Sequence, residues 1–175
     1  MVIGLLGLTG SGKSTCASAI SDRLGAILFD MDNEFPEEYR DRNRQGEVVT
    51  KEDVKVYQRE IVERLISLAK GHTVVFAGFF FDKVFPELIN KNTETIWINL
   101  YTGNIQTLKW RVKNRKDHFV HSVDVIEDNW PHRKEMVIGD DIVNADQEIS
   151  KVIEDCLKII SKHDPKASAF YSVGM

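Results

Sequence analysis

The sequence GLTGSGKST, residues 7–15, decides the fold of this chain. It matches the pattern G-x-x-x-x-G-K-[S/T] and stands in the setting that this pattern requires. Before it, the apolar run Val2–Gly7 predicts a buried strand, and after it Ser14–Leu24 predicts a helix that ends at Gly25. Glycines let the backbone approach phosphate oxygens closely, and the N–H groups at a helix N-terminus attract anions. The stretch therefore predicts a phosphate-binding loop.

Two side chains of this loop add chemistry to its backbone. Lys13 places a compact positive charge near the β- and γ-phosphates of a nucleoside triphosphate, and the Ser14 hydroxyl is suited to ligate Mg²⁺. A nucleoside triphosphate and Mg²⁺ are therefore the expected ligands. The residues predicted to bind the nucleotide, ATP in a kinase, are Thr9, Gly10, Ser11, Gly12, Lys13, Ser14 and Thr15 of the loop, together with Arg111.

Two missing patterns narrow the class of nucleotide-binding protein. The sequence NKNT at Asn90–Thr93 lacks the acid of the Asn-Lys-x-Asp pattern that recognises guanine. The apolar run TVVFAG, Thr73–Gly78, ends without the acid typical of ATPase motors. In a chain of only 175 residues, these absences favour a small kinase.

The composition is typical of a globular protein, with 42% hydrophobic and 29% charged residues and a formal net charge of −4. No long basic cluster indicates a nucleic-acid surface, and no apolar run approaches the roughly 18–20 residues of a membrane helix. The N-terminus lacks the basic flank and cleavage site of a signal peptide. We expect one domain over residues 1–175, in the cytoplasm, with Cys16 and Cys156 as reduced core thiols.

Strand patterns alternate with helical patterns along the chain, which predicts a mostly parallel sheet with helices on both faces. The predicted strands are residues 2–7, 26–30, 73–78, 95–100 and 141–146, and the predicted helices are 14–24, 54–70, 104–114, 123–136 and 147–162. The fold class is therefore α/β, a three-layer P-loop kinase fold with a five-stranded sheet. We expect a helical lid at about 111–135 and a tail at 163–175.

Two carboxylates, Asp30 and Asp32, follow the second predicted strand in the sequence FDMDNEFP. The carboxyl edge of a doubly wound sheet faces the ligand crevice. One carboxylate can therefore organise Mg²⁺, and the other can orient or deprotonate an attacking hydroxyl. The alternative is an acidic turn in which a carboxylate caps a helix.

Two arginines, Arg111 and Arg115, lie four residues apart in LKWRVKNRKDHF and so share one face of a predicted helix. Their guanidinium groups could hold the transferring phosphoryl group in a lid that excludes water. The alternative is a solvated basic face. His118 follows closely and is either a site residue or an ordinary surface histidine.

These motifs together resemble the gluconate kinase (gluconokinase) family, within the shikimate-kinase-like group of small P-loop kinases. The loop resembles that family's GxSGSGKS, and DMDNEFP is similar to D-G-D-x-x-H-P. The sequence RVKNRKDHF matches R-x-x-x-R-x-x-H-F through Arg111, Arg115, His118 and Phe119. The resemblance implies ATP-dependent phosphorylation of a hydroxyl on a sugar, sugar acid or related metabolite. It assigns the substrate hydroxyl to Asp32, Mg²⁺ to Asp30 and the closing lid to the two arginines, and it suggests a homodimer.

One stretch departs from the family. Where the family has CSALKxxYRDxLR, this chain has AGFFFDKVFPELI, so cationic and polar positions become phenylalanines. Phenylalanines offer apolar area and stacking to an acceptor, or they belong to the core. The predicted substrate contacts are Asp32, Phe35, Arg42, Phe79, Phe80, Arg115 and His118, and the predicted catalytic residues are Lys13, Asp32, Arg111 and Arg115.

The expected function is therefore an ATP-dependent small-molecule kinase with a rebuilt acceptor pocket. Two alternatives stay open at this point. One is a kinase of a nucleotide-like acceptor, whose base would stack on the phenylalanines. The other is a nucleotide-dependent regulatory module without an acceptor.

Overall fold

The five predicted strands form one parallel sheet. The computed structural model describes residues 1–45, 51–80, 82–114 and 123–165. The strands lie in the order β2-β3-β1-β4-β5, and every neighbouring pair is parallel. Their bounds are β1 Val2–Leu6, β2 Ile27–Asp30, β3 Val74–Gly78, β4 Thr95–Tyr101 and β5 Asp141–Asn144. The predicted α/β sheet is confirmed.

Helices connect the strands and cover both faces of the sheet. Their bounds are α1 Lys13–Leu24, α2 Met31–Glu34, α3 Glu37–Arg44, α4 Lys51–Ala69, α5 Val84–Asn92, α6 Ile105–Asn114, α7 Asp124–Asn129 and α8 Ile149–His163. Within the described ranges, no helix is both long enough and apolar enough to cross a membrane.

Three helices lie where the sequence predicts none: the single turn α2, and the longer helices α3 and α5. Helix α3 follows Pro36 and carries Glu37 and Glu38 in its first turn, where acidic side chains complement the helix dipole. Helix α5 begins after Asp82, whose side chain accepts a hydrogen bond of 3.1 Å from the Val84 backbone N–H. Helices α3 and α5 start from local charges and a local hydrogen bond, which an apolar periodicity does not reveal.

Helix α7 is shorter than the predicted helix at 123–136. It ends at Asn129, and residues 130–136 form turns. Pro131 lacks the N–H that would continue the hydrogen-bond pattern of the helix, so the chain changes direction here. After this turn, Arg133, Met136 and Val137 line a cavity described below.

Strand β1 is buried along its whole length and divides the core into two layers. Ile3 and Leu5 pack on one face with apolar residues of α1 and α8, including both cysteines. Val2 and Leu6 pack on the other face with residues of α4 and α5. This alternation follows from the two-residue period of a strand, and each fully buried apolar side chain contributes about 1.5–3 kcal/mol.

Strand β1 also marks the point where ligands bind in folds of this kind. Its neighbours are β3 and β4: the chain first builds β2 and β3 on one side of β1 and then crosses to build β4 and β5 on the other. In open parallel sheets, ligands occupy the crevice outside the carboxyl ends of the strands at such a switch in strand order. The predicted phosphate loop follows β1 directly and therefore lies at this crevice.

Candidate functional site

The loop between β1 and α1 has the backbone shape that its sequence predicts. Gly10 and Gly12 have φ angles of 86° and 95°, in the left-handed region, and Gly12 is the N-cap of α1. A Cβ atom on Gly10 would lie 3.1 Å from the backbone oxygen of Leu108. Both glycines are therefore required by backbone conformation, and Gly10 also by the close approach of α6.

This loop forms one wall of a cleft of about 540 Å³, which we call the outer cleft. Its lining residues are Thr9, Gly10, Ser11, Gly12, Lys13, Ser14, Thr15, Asp32, Arg111, Ala145, Gln147, Glu148, Ile149 and Val152. The cleft contains every loop residue predicted to bind ATP. Its size suits a nucleotide, since small-molecule sites commonly measure about 300–1,000 Å³.

Lys13 begins α1 and turns its side chain over the loop. Its Nζ donates a hydrogen bond of 3.1 Å to the backbone oxygen of Leu8. Ser14 follows it at the first turn of the helix, and both residues line the outer cleft. A cation and a hydroxyl therefore lie beside the positive end of α1, where phosphate groups bind.

Arg111 joins the two sides of the outer cleft. Its Nη2 donates to the backbone oxygen of Ala145 at 2.9 Å, and its Nη1 lies 3.5 Å from the backbone oxygen of Gly10. The guanidinium group thus links the phosphate loop to the segment between β5 and α8. The other predicted lid residues, Arg115 and His118, lie outside the described residues.

The two carboxylates after β2 occupy different places. Asp30 is the N-cap of α2, and its Oδ1 accepts a hydrogen bond of 3.1 Å from the Asp32 backbone N–H. Asp32 lines the outer cleft together with Ser14, and Asp30 is not among the lining residues. The capping alternative therefore describes Asp30, and Asp32 is the carboxylate that faces the nucleotide side.

A second space, which we call the inner cavity, lies at the carboxyl ends of β1, β3 and β4 and measures about 30 Å³. Its lining residues are Leu6, Gly7, Leu8, Ser11, Phe79, Phe80, Asn99, Leu100, Tyr101, Thr102, Leu108, Arg133, Met136 and Val137. Ser11 lines both spaces. The inner cavity therefore adjoins the outer cleft at the phosphate loop.

The phenylalanines after β3 have two roles. Phe80 is 3% exposed and packs in the core, with its ring stacked on Phe76 at a centroid distance of 5.4 Å. It also forms part of the wall of the inner cavity, as does the half-buried Phe79. Phe81 lies outside the described residues. Cavity wall and core, the two alternatives from the sequence, therefore coexist in Phe80.

Two predicted substrate contacts lie elsewhere. Phe35 is 5% exposed, and its ring stacks on Tyr39 at a centroid distance of 4.5 Å and meets Tyr57 edge-on. Arg42 is half-buried on α3. Neither residue lines the outer cleft or the inner cavity. The contacts with Tyr39 and Tyr57 explain the burial of Phe35 in the core.

Three features of the site escape the sequence patterns. The segment after β5 supplies the far wall of the outer cleft, Arg133 lines the inner cavity, and Gln58 supports Phe79 from α4. Gln58 is 1% exposed, and its Nε2 donates to the backbone oxygen of Phe79 at 2.9 Å. Its position on the apolar face of the predicted helix was a usable signal, because a buried amide requires partners. Nothing in the sequence around Arg133 predicts that this residue lines a cavity.

Comparisons with known proteins agree with this geometry. A family model described as AAA domain matches residues 3–129. A probable gluconokinase from Dictyostelium discoideum is 30% identical over 128 residues, which are 68% of this chain and 63% of that protein. The match to this relative thus spans less than two thirds of its length. A probable gluconokinase from Xenopus tropicalis is 25% identical over 178 residues, covering 89% of this chain and 90% of that protein.

A solved structure shows the same fold. The crystal structure of a gluconokinase from Sinorhizobium meliloti 1021 matches with a TM-score of 0.73 at 18% sequence identity. The match covers 99% of this chain and 97% of that chain. At this identity the likeness concerns the arrangement of strands and helices.

Proposed function

We propose that this chain, which belongs to the AAA-domain family and is a gluconokinase-like P-loop kinase, transfers the γ-phosphoryl group of ATP to a hydroxyl of a sugar acid. One observation carries the proposal: the inner cavity adjoins the outer cleft at Ser11 of the phosphate loop. A nucleotide in the outer cleft would therefore place its terminal phosphate beside an acceptor that reaches into the inner cavity.

The loop and two cations provide the electrostatic part of the reaction. Backbone N–H groups at the start of α1 bind phosphate oxygens, and Lys13 neutralises charge on the terminal phosphates. Arg111, which the Ala145 and Gly10 carbonyls orient, adds a second cation at the same cleft. Phosphoryl transfer depends mainly on such positioning and charge stabilisation, so these fixed groups are the core of the mechanism.

The donors in the outer cleft fit Mg²⁺. This ion keeps several waters and binds through one or two protein oxygens plus substrate phosphates. Ser14 offers its hydroxyl at the place where the phosphates bind, and it is the residue that would hold the ion. Bound there, Mg²⁺ would neutralise charge on the β- and γ-phosphates. Asp30 fits this role less well because its Oδ1 already caps α2.

Asp32 is the group proposed to act on the acceptor. It lies at the carboxyl end of β2 and lines the outer cleft. A carboxylate within reach of the acceptor hydroxyl orients it for in-line attack and accepts its proton. Arg115 and His118 remain predictions from the sequence, as do a homodimer, a cytoplasmic location and a single domain over residues 1–175.

The test is ATP consumption with Mg²⁺ against a panel of acceptors. The panel contains D-gluconate and other aldonic acids, neutral sugars, shikimate, adenylylsulfate and nucleoside monophosphates. We expect stimulation by an aldonic acid and at least about 100-fold loss in Lys13→Ala, because a cation at the transferring phosphate disappears. Lys70→Ala, which removes an exposed lysine in the turn after α4 that lines neither space, should keep full activity.

Two results would contradict the proposal. The first is full turnover in Lys13→Ala. The second is a panel without any response from a sugar acid. Stimulation by a nucleoside monophosphate or adenylylsulfate alone would identify the nucleotide-like acceptor instead.

A further inference from the structure

Three residues that line the inner cavity have a buried polar side-chain atom without a hydrogen-bond partner among the described residues. These atoms are Ser11 Oγ, Thr102 Oγ1 and Arg133 Nε. Ser11 is 2% exposed and Thr102 is 5% exposed. Buried polar groups in native proteins almost always have a hydrogen-bond partner, so each of these groups needs one from a bound water, ion or ligand. Three such groups around one small space indicate a polar binding site.

The arginine gives this site a charge. Arg133 Nη1 donates to the backbone oxygen of Trp130 at 2.8 Å, and its guanidinium carbon lies 4.1 Å from the centre of the Trp130 ring. These two contacts fix the orientation of the guanidinium plane and leave its other N–H groups available. Within the described ranges, Arg133 forms no ion pair. An anion would satisfy both its charge and its donors.

The size of the cavity limits the anion. A volume of about 30 Å³ admits a group of a few heavy atoms. Around the polar atoms the walls are apolar, with Phe79, Phe80 and Met136 among them. A planar carboxylate fits this combination, because it accepts hydrogen bonds from two hydroxyls and from a guanidinium fork. A nucleobase is too large for the cavity.

We propose that Arg133, together with the Ser11 and Thr102 hydroxyls, binds the carboxylate of the acceptor. The inference rests on the proposed function for its identification of the acceptor as a sugar acid. It also explains how a pocket with phenylalanines after β3 holds a charged substrate: the cation comes from the turn after α7. Because Ser11 borders both spaces, a carboxylate bound here leaves the polyhydroxyl chain of the acceptor to extend towards the outer cleft.

Binding and turnover are measured separately with two probes, D-gluconate and D-glucitol, which differ in the carboxylate. Calorimetry with Mg²⁺ and a non-hydrolysable ATP analogue measures affinity, and steady-state kinetics measure kcat and KM. In Arg133→Gln we expect affinity for gluconate to fall at least about 10-fold, with KM rising more than kcat falls, and no change for glucitol. Arg133→Lys should recover part of the affinity. Lys134→Gln removes the same charge from an exposed neighbour and should match the unmodified protein.

A second variant guards against misfolding of the arginine variants. Thr102→Val keeps the side-chain shape and removes the hydroxyl, and it should weaken gluconate binding about 3- to 10-fold. Melting curves by circular dichroism show which variants are folded.

The outcomes separate the two proposals. Arg133-dependent binding of gluconate without turnover would overturn the kinase function and support the carboxylate site. Turnover of gluconate that Arg133→Gln leaves unaltered would support the function and overturn the site. Equal loss for gluconate and glucitol, equal loss in Lys134→Gln, or no preference of the unmodified protein for gluconate would also overturn the site.

Discussion

Gly10 shows at the scale of a single residue how the phosphate loop constrains its sequence. Its φ of 86° is unfavourable for any residue with a Cβ, and the nearest atom to such a Cβ would be a backbone oxygen of α6 at 3.1 Å. A backbone oxygen cannot move as the end of a side chain does. Strain at this position must therefore displace either the loop or α6, which carries Arg111.

We expect Gly10→Ala to lower the free energy of unfolding by about 1–3 kcal/mol and to weaken ATP binding. The control is Gly71→Ala, because a Cβ on Gly71 meets nothing within 4 Å. Urea unfolding gives the stability of both variants, and calorimetry gives their ATP affinity. Equal stability and equal affinity of the two variants would contradict the structural role of Gly10.

Arg111 is the residue that connects the loop, α6 and the segment after β5. In Arg111→Gln, the charge and the paired contacts to Ala145 and Gly10 are lost together. We expect kcat/KM for ATP to fall about 100-fold, since a preorganised cation at the phosphates contributes that order of rate. Lys113→Gln removes an exposed charge from the same helix and should keep normal kinetics. Similar losses in both variants would indicate a general effect of charge on α6.

At the scale of elements, α4 supports the acceptor side through one buried amide. Gln58 Nε2 donates to the Phe79 backbone oxygen at the end of β3 and lies 3.7 Å from Met31 Sδ after β2. Its Oε1 is buried without a partner among the described residues. This single side chain therefore joins the ends of two strands that border the site.

The pH dependence of the stability of Gln58→Glu tests whether this side chain is buried between the two strand ends. A carboxylate here would be buried and unpaired, and it would face the Phe79 oxygen, so burial should raise its folded pKa above the usual 4.3. The folded state then holds a proton that the unfolded state releases, and stability falls as pH rises above about 4.3. We expect a loss of about 3 kcal/mol at pH 8 that shrinks towards pH 5, whereas Gln58→Leu shows no such trend. Chemical unfolding at several pH values measures the free energy of unfolding of both variants. If the two variants showed the same pH dependence, the side chain at position 58 would not be buried.

The elements also show which parts of the structure a sequence can predict. The strands and the phosphate loop were predictable because each is encoded by a contiguous pattern, as in GLTGSGKST. Helices α3 and α5 were not, because acidic residues in the first turn of α3 and the Asp82 hydrogen bond before α5 mark their starts. The inner cavity could not be predicted from the sequence for a different reason. Ser11, Thr102 and Arg133 are distant in sequence, and the sheet order and the turn at Pro131 bring them together.

At the scale of the whole molecule, α1 and α8 pack on the same face of the sheet and bury one thiol each. Cys16 and Cys156 are both fully buried and free, in the same apolar cluster. Burial raises the pKa of the Cys16 thiol to about 11, although the nearby Arg111 charge lowers it slightly. Burial also raises the pKa of the Cys156 thiol, and the other thiol adds to the shift. The free energy of unfolding should therefore depend on pH in the alkaline range.

The sign of that linkage follows from the raised pKa values. Above about pH 8.5 the unfolded thiols lose their protons while the folded thiols keep them, so stability falls as pH rises towards 11. For Cys16 alone the loss reaches roughly 2–3 kcal/mol at pH 11. The double variant Cys16→Ala, Cys156→Ala should be less stable at pH 7 because of the cavities it creates, and its stability should decline less between pH 8.5 and 11. Urea unfolding across this range measures the difference in slope. Identical slopes would mean that the thiols reach water in the folded protein, and a thiol reagent would then modify them without unfolding.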